Sequence, residues 1–223
     1  MHLARLIKPA LLILTPLITM TQLSGCIIGA AIGGMAESYH RTGSSEIEAE
    51  YTGIEGHSFT VVVSTDRLIE GNNPGISARI NQRVNDRLIQ NAKPTFAIPS
   101  TDLLRVLYDT PQWPAMPRGE VANMLGVERL VVVEITEYRL NEPGNKYVWD
   151  GSASCLVSVH EADSPFPDDP VFEKAITVSF PDMSGLMSTE IPQAAVNTEL
   201  ANRITNRISW LFYTHEESNV IPY

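Results

Sequence analysis

The side chains that could do chemistry in this chain are few, and their spacing decides most of them. A nucleophilic serine in its usual strand-turn-helix seat needs a Gly-x-Ser-x-Gly pattern, which is absent. Ser152 and Ser154, which follow Gly151, sit inside an alternating strand pattern where a nucleophile is poorly exposed. Zinc chemistry needs ligands paired at short intervals, and His-Glu-x-x-His does not occur; His215-Glu216-Glu217 lacks a second histidine one turn away. His40, His57, His160 and His215 are scattered, and no Gly-x-x-x-x-Gly-Lys phosphate loop is present. The expectation is therefore no catalytic residue, no metal site and no cofactor, in a protein that is not an enzyme. The alternative is a hydrolase whose residues meet only in the fold, drawing on His57, His160, Glu134 or Asp66.

Three further features each allow two readings, and a fourth, Cys155, allows one. Asp163, Asp168 and Asp169 could offer oxygens to calcium, but they lack the spacing and closing Glu of an EF-hand and also suit a solvated turn. Glu134, within Val131-Val132-Val133-Glu134-Ile135, is either a carboxyl raised by burial or the sign that one strand face meets water or basic side chains. Trp113, in Trp113-Pro114-Ala115-Met116-Pro117, either stands exposed as a partner contact or packs over the domain edge. Cys155 shares an alternating face with Trp149, Ala153, Val157 and Val159, which reads as a buried structural thiol.

The other cysteine, Cys26, closes a short N-terminal segment with a basic start (Arg5, Lys8), an apolar stretch through Ala10-Leu11-Leu12-Ile13-Leu14, and small residues before the thiol. Pro9 and Pro16 break that stretch, leaving it shorter than the ~20 residues of a spanning helix. The quartet Leu23-Ser24-Gly25-Cys26 resembles the lipobox of bacterial lipoproteins. That resemblance implies cleavage between Gly25 and Cys26, with diacylglycerol on the sulfur and an acyl chain on the new amine. It also implies a membrane-anchored lipoprotein facing the periplasm. Ile27 after the cysteine, in place of the Asp that retains many such proteins at the inner membrane, points to the outer membrane.

The chain carries a formal net charge of −10. Loss of residues 1 to 25 removes Arg5 and Lys8 and no carboxylate, so the remainder is more acidic still, and with only Cys155 left it can form no internal disulfide. No stretch gathers four or more Lys and Arg, so neither nucleic acid nor an anionic lipid surface is an expected partner. Residues 26 to 50 read as a lipidated cysteine on a tether. Its Gly-rich part, Ile27 to Ala36, is either a leash or, through Gly29 and Gly33, a small-residue helix face. Its second part, Glu37 to Glu50, is polar and acidic.

Residues 51 to 215 read as a single domain, with a C-terminal tail from 216 to 223. His57 to Thr65 predicts a strand, and Ile76, Ile80, Val84 and Leu88 predict an amphipathic helix with Arg79, Arg83, Asn85 and Arg87 around it. Thr95 to Pro99 predicts a second strand, Ser100 or Thr101 a cap for the next helix, and Gly126 the end of a short one. Three long strands follow over Glu128 to Leu140, Tyr147 to Glu161 and Val171 to Phe180. A last helix runs from Pro192 to Thr214, with Asn202, Arg203, Asn206 and Arg207 opposite its apolar face. The fold class expected is an α/β (α+β) two-layer sandwich with one mixed, mainly antiparallel sheet of about five strands and helices packed on it.

Asp66 after the first strand, the Ile98-Pro99-Ser100 joint and the Leu125-Gly126-Val127 turn give this layout a weak resemblance to small α/β domains of envelope lipoproteins. Those are the N-terminal domain of the TolB translocation protein and the curli-secretion and penicillin-binding-protein-activator lipoproteins. The resemblance implies a binding or assembly accessory protein of the cell envelope with an unidentified envelope-protein partner; a structural spacer is the other non-catalytic reading.

Overall fold

The computed structural model describes residues 43 to 218, so Gly25, Cys26 and the Gly-rich stretch lie outside the described residues. The chain divides into two compact units, the main one running from Ile47 to His215. The described part of the other belongs to a two-stranded ribbon of β1 (Ser44–Ile47) and β7 (His215–Ser218). The sequence reads as tether and tail at these places. All four residues of β1 are exposed, so no apolar alternation marks it.

The main unit holds one mixed five-stranded sheet, as the sequence predicts, and its strand order is β3-β2-β4-β5-β6. Its strands are β2 (Ser58–Thr65), β3 (Phe96–Ala97), β4 (Arg129–Arg139), β5 (Gly151–Glu161) and β6 (Phe172–Phe180). β2 pairs in parallel with β3 and β4, whereas β4, β5 and β6 form an antiparallel meander. The register sets Val61 against Val131 and Val62 against Val132, and Cys155 against Ile135 and Ile176.

Helices pack on both faces. On one face α2 (Ile76–Asn91) and α5 (Gln193–Trp210) lay Ile76, Ile80, Val84 and Leu88 and Val196, Leu200, Ile204 and Ile208 against Phe59, Val61, Val131 and Val133. The other face is covered at the β2–β4 end by α3 (Ser100–Asp109), a 3₁₀ turn at Trp113–Ala115 and α4 (Arg118–Leu125). There Leu103, Trp113, Val121 and Ala122 meet Val62, Leu130 and Val132. Trp113 is 7% exposed, which corrects the reading of an exposed partner contact. Its ring fills the second core, where a large aromatic contributes more by burial than it could on a loop surface.

Local chemistry sets the joints. Asp66 caps α1 (Arg67–Asn72) by accepting from the Ile69 amide at 2.7 Å. The turn-rich composition of Gly71 to Gly75 hides this short helix, in which Ile69 is the buried residue. Glu70 in turn accepts from the Gly75 amide at 2.7 Å and the Ser77 hydroxyl at 2.9 Å, so a carboxylate sits at the start of α2 where the helix dipole favours it. Neither Ser100 nor Thr101 caps α3. Pro99 holds that position, its carbonyl accepts from Asp102 and Leu103, and Ser100 Oγ accepts from Asn85 instead. Gly126 ends α4 with φ at 68°, the left-handed conformation a glycine adopts without strain.

Two polar residues assigned to solvent by periodicity are buried. Asn85 donates to the Ile98 carbonyl at 3.1 Å. Arg203 is 5% exposed and is engaged through all three nitrogens: its two terminal nitrogens reach Asp182 at 2.5 and 2.8 Å, Nε reaches Glu199 at 3.2 Å, and Nη1 also donates to the Ser179 carbonyl. A fork-shaped guanidinium can bury only when its donors are satisfied in this way.

The hydrogen bond from Arg203 holds the Asp182 carboxyl below its ordinary range. A depressed carboxyl contributes stability that is present above the unfolded-state pKa of about 3.9 and is lost as pH falls through the lower folded value. Urea midpoints measured from pH 7 to pH 2 should therefore decline less steeply in Asp182→Asn than in the wild type, and the variant should already be weaker at pH 7.

Candidate functional site

A cavity of about 700 Å³ opens where β4 ends, between the last turn of α1, the β4–β5 loop and the start of α5. Asn73, Tyr138, Asn141, Lys146, Trp149 and Gln193 are among the residues that line it. The volume lies in the range of small-molecule sites, and the end of a parallel strand is a frequent place for them.

The walls are held by backbone and side-chain bonds. Ser188 donates its amide to the Tyr147 carbonyl and Trp149 donates its own to Leu186, both at 2.9 Å, so two loops zip into a short ribbon. The Trp149 indole N–H donates to the Ile191 carbonyl at 2.9 Å and fixes the ring. Asn141 spans its own loop by donating to the Val148 carbonyl at 2.8 Å. The Tyr138 hydroxyl donates to Asn197 Oδ1 at 2.7 Å, and burial pushes its pKa up to about 12. Arg139 is committed to Glu137 at 2.7 Å and Asp150 at 2.9 Å. The remaining lining is rich in amide groups, with Lys146 as a cation and Glu142 as an anion. Such a set can orient a polar ligand through paired donors and acceptors. Beside the lining residue Lys146, Tyr147 stands 78% exposed, and the next residue, Val148, bridges to the exposed Met187 across the ribbon.

The chemistry-bearing residues of the sequence do not gather there. His57, His160, Glu134 and Asp66 are all absent from the lining. His160 is buried, with Nε2 at 3.2 Å from Ser158 Oγ, and burial holds its pKa below the ordinary histidine value. His57 Nδ1 lies 3.1 Å from the Glu55 carbonyl, and His215 stacks on Trp210 with ring centroids 4.5 Å apart. Glu134 pairs with Arg118 at 2.9 Å, which is the basic-side-chain reading of that position.

The three aspartates of the β5–β6 loop part company. Asp163 takes Arg129 at 2.5 Å, while Asp168 accepts from the Gly119 amide at 2.9 Å, in the first turn of α4. Among the described residues no group of three or more His, Cys, Asp or Glu is placed to hold a metal ion. The sequence does not reveal the cavity residues, because amides in turn segments carry no spacing signal.

No protein-family model and no curated protein matches this chain. Solved structures similar to it include the lipoprotein GNA1162 from Neisseria meningitidis, at 9% identity and a TM-score of 0.45, covering 68% of this chain and 97% of that one. The PelC dodecamer from Paraburkholderia phytofirmans is similar at 10% identity and a TM-score of 0.43, over 76% of this chain and 96% of that one. Protein XCC0632 from Xanthomonas campestris is similar at 8% identity and a TM-score of 0.45, over 73% and 85%. All three likenesses are distant. Among the described residues no helix is long and apolar enough to cross a membrane.

Cys155 is 3% exposed, and burial pushes its thiol up to about 12. Iodoacetamide at pH 8.5 should leave this thiol unmodified in the native protein and alkylate it fully in urea, as followed by peptide mass spectrometry. Rapid native alkylation would contradict the burial.

Proposed function

We propose that this protein is a lipid-anchored accessory factor of the bacterial cell envelope, held in the membrane through Cys26 and facing the periplasm. It binds another envelope component and does not transform a substrate. The observation that carries the reading is the order of basic start, apolar stretch and Leu23-Ser24-Gly25-Cys26. Acyl chains on one cysteine supply a lasting anchor, because each buried methylene contributes about 0.8 kcal/mol. Ile27 after the cysteine favours the outer membrane. The loose likeness of the mature chain to small α/β envelope-lipoprotein domains fits the same role.

The cavity beside β4 supports binding as the activity. Its walls are held by hydrogen bonds, its lining is amide-rich, and Tyr147, next in the chain to the lining residue Lys146, offers an exposed aromatic contact. Fractionation of cells should find the wild type in the membrane pellet and Cys26→Ser in the soluble fraction. A photo-crosslinking amino acid at position 147 should give a discrete adduct with an envelope component. A wild-type protein that fractionates as soluble, or a position 147 that yields no adduct in intact cells, would count against the reading.

A further inference from the structure

The arginines of α2 are placed differently from most others in the protein. Arg79, Arg83 and Arg87 follow at intervals of four residues, a rise of roughly 6 Å per step along one helix face. Arg83 Nη1 donates to Asn202 Oδ1 at 2.6 Å, and Arg87 Nη1 donates to Asn206 Oδ1. The pairing advances by four on both helices, so α2 and α5 run parallel and the guanidiniums lie across their seam. The partners are neutral amides, which orient a guanidinium without discharging it.

By contrast Arg105, Arg118, Arg129, Arg139 and Arg203 each hold a carboxylate. Among the described residues no carboxylate lies within 4.0 Å of Arg79, Arg83 or Arg87, not even Asp86 on the same helix. Like charges four residues apart disfavour a helix, and the protein as a whole is acidic. A row of three cations without a carboxylate partner, two of them oriented by amides, complements an anion on such a background. Helical spacing in the sequence already places the three residues around the predicted helix, whereas the α5 amides that orient Arg83 and Arg87 come together with them only in the fold.

We infer that the seam between α2 and α5 docks an acidic helix of a partner protein, one with Asp or Glu at every fourth residue. A second helix laid along the seam repeats its carboxylates at the same rise as the arginines, so each pair can form at once. The row is one helix wide. A flat lipid surface would also meet the exposed Asp86 and the acidic surroundings, where a single helix would not. The inference is independent of the lipid anchor and of the cavity.

The test uses full-length protein in neutral detergent and an Ala-based helical peptide with Glu at every fourth position, with a Gln version as control. Binding is read by fluorescence anisotropy. The Glu peptide should bind at ~50 mM salt and weaken markedly at ~0.5 M, where screening shortens the reach of the charges. Arg83→Gln with Arg87→Gln should weaken it by roughly tenfold, taking two charge pairs near the upper end for partly exposed sites. Arg105→Gln, which removes an arginine already paired with Asp102, should leave it unchanged. If circular dichroism shows the double variant to be unfolded, Arg79→Gln alone serves, with a loss of about threefold expected. Failure of the Glu peptide to bind, equal binding of the Gln peptide, or full affinity in folded variants would overturn the inference. Capture of anionic vesicles without peptide binding would overturn it in favour of a lipid surface.

Discussion

Strands β2 and β4 lie side by side in parallel, and Val61, Val62, Val131 and Val132 are all buried, so water is kept from both faces of this pair. A strand buried on both sides needs cover on both sides. That requirement places α2 and α5 on one face and α3, α4 and Trp113 on the other, and it fixes the crossover from β2 through α2 to β3. β5 and β6 answer to a weaker demand. Their inner residues, Ala153, Cys155, Val157, Ile176 and Val178, join the main core, whereas Ser154, Thr177 and Glu173 face outward. The cavity lies at the end of β4, where the helical cover gives way to loops.

Charge does a second kind of work. Arg129 ties the start of β4 to Asp163, Glu161 and the Gly53 carbonyl, and Arg203 ties α5 to Asp182 beyond the end of β6. Both guanidiniums are nearly buried while their carboxylates keep water, which limits the desolvation cost of each pair. The Tyr51 hydroxyl donates to Glu161 at 2.8 Å, and burial with that carboxylate holds its pKa above the usual tyrosine value. These links close the sheet edges and loops. The arginines of α2 stand outside this pattern: none holds a carboxylate among the described residues, and Arg83 and Arg87 donate to amides on a neighbouring helix.

Periodicity made most of the fold legible. The four-residue spacing of Ile76, Ile80, Val84 and Leu88 and the alternation of Phe59, Val61 and Val63 are direct consequences of which face is buried, and both appear as read. The losses have physical reasons. α1 is short and turn-rich, β1 has no buried side, and Trp113 sits among prolines that suggest a surface loop although its ring turns inward. Arg203 looks solvent-facing by type, and only the approach of Asp182, 21 residues away, lets it be buried. The cavity was not legible, because Asn73, Asn141 and Gln193 come from three distant segments and act only through the geometry that joins them.

The folded domain and the proposed leader carry different parts of the proposed function. The domain supplies a polar cavity and a basic seam, both suited to contact, and in the proposed function a lipidated Cys26 would determine where those contacts are made. The proposed function depends most on lipidation of that cysteine. Intact mass of the protein purified from membranes tests it directly: the expected chain begins at Cys26 and carries diacylglyceryl and N-acyl groups. A chain that retains the leader, or one that begins at Cys26 without acyl mass, would contradict it.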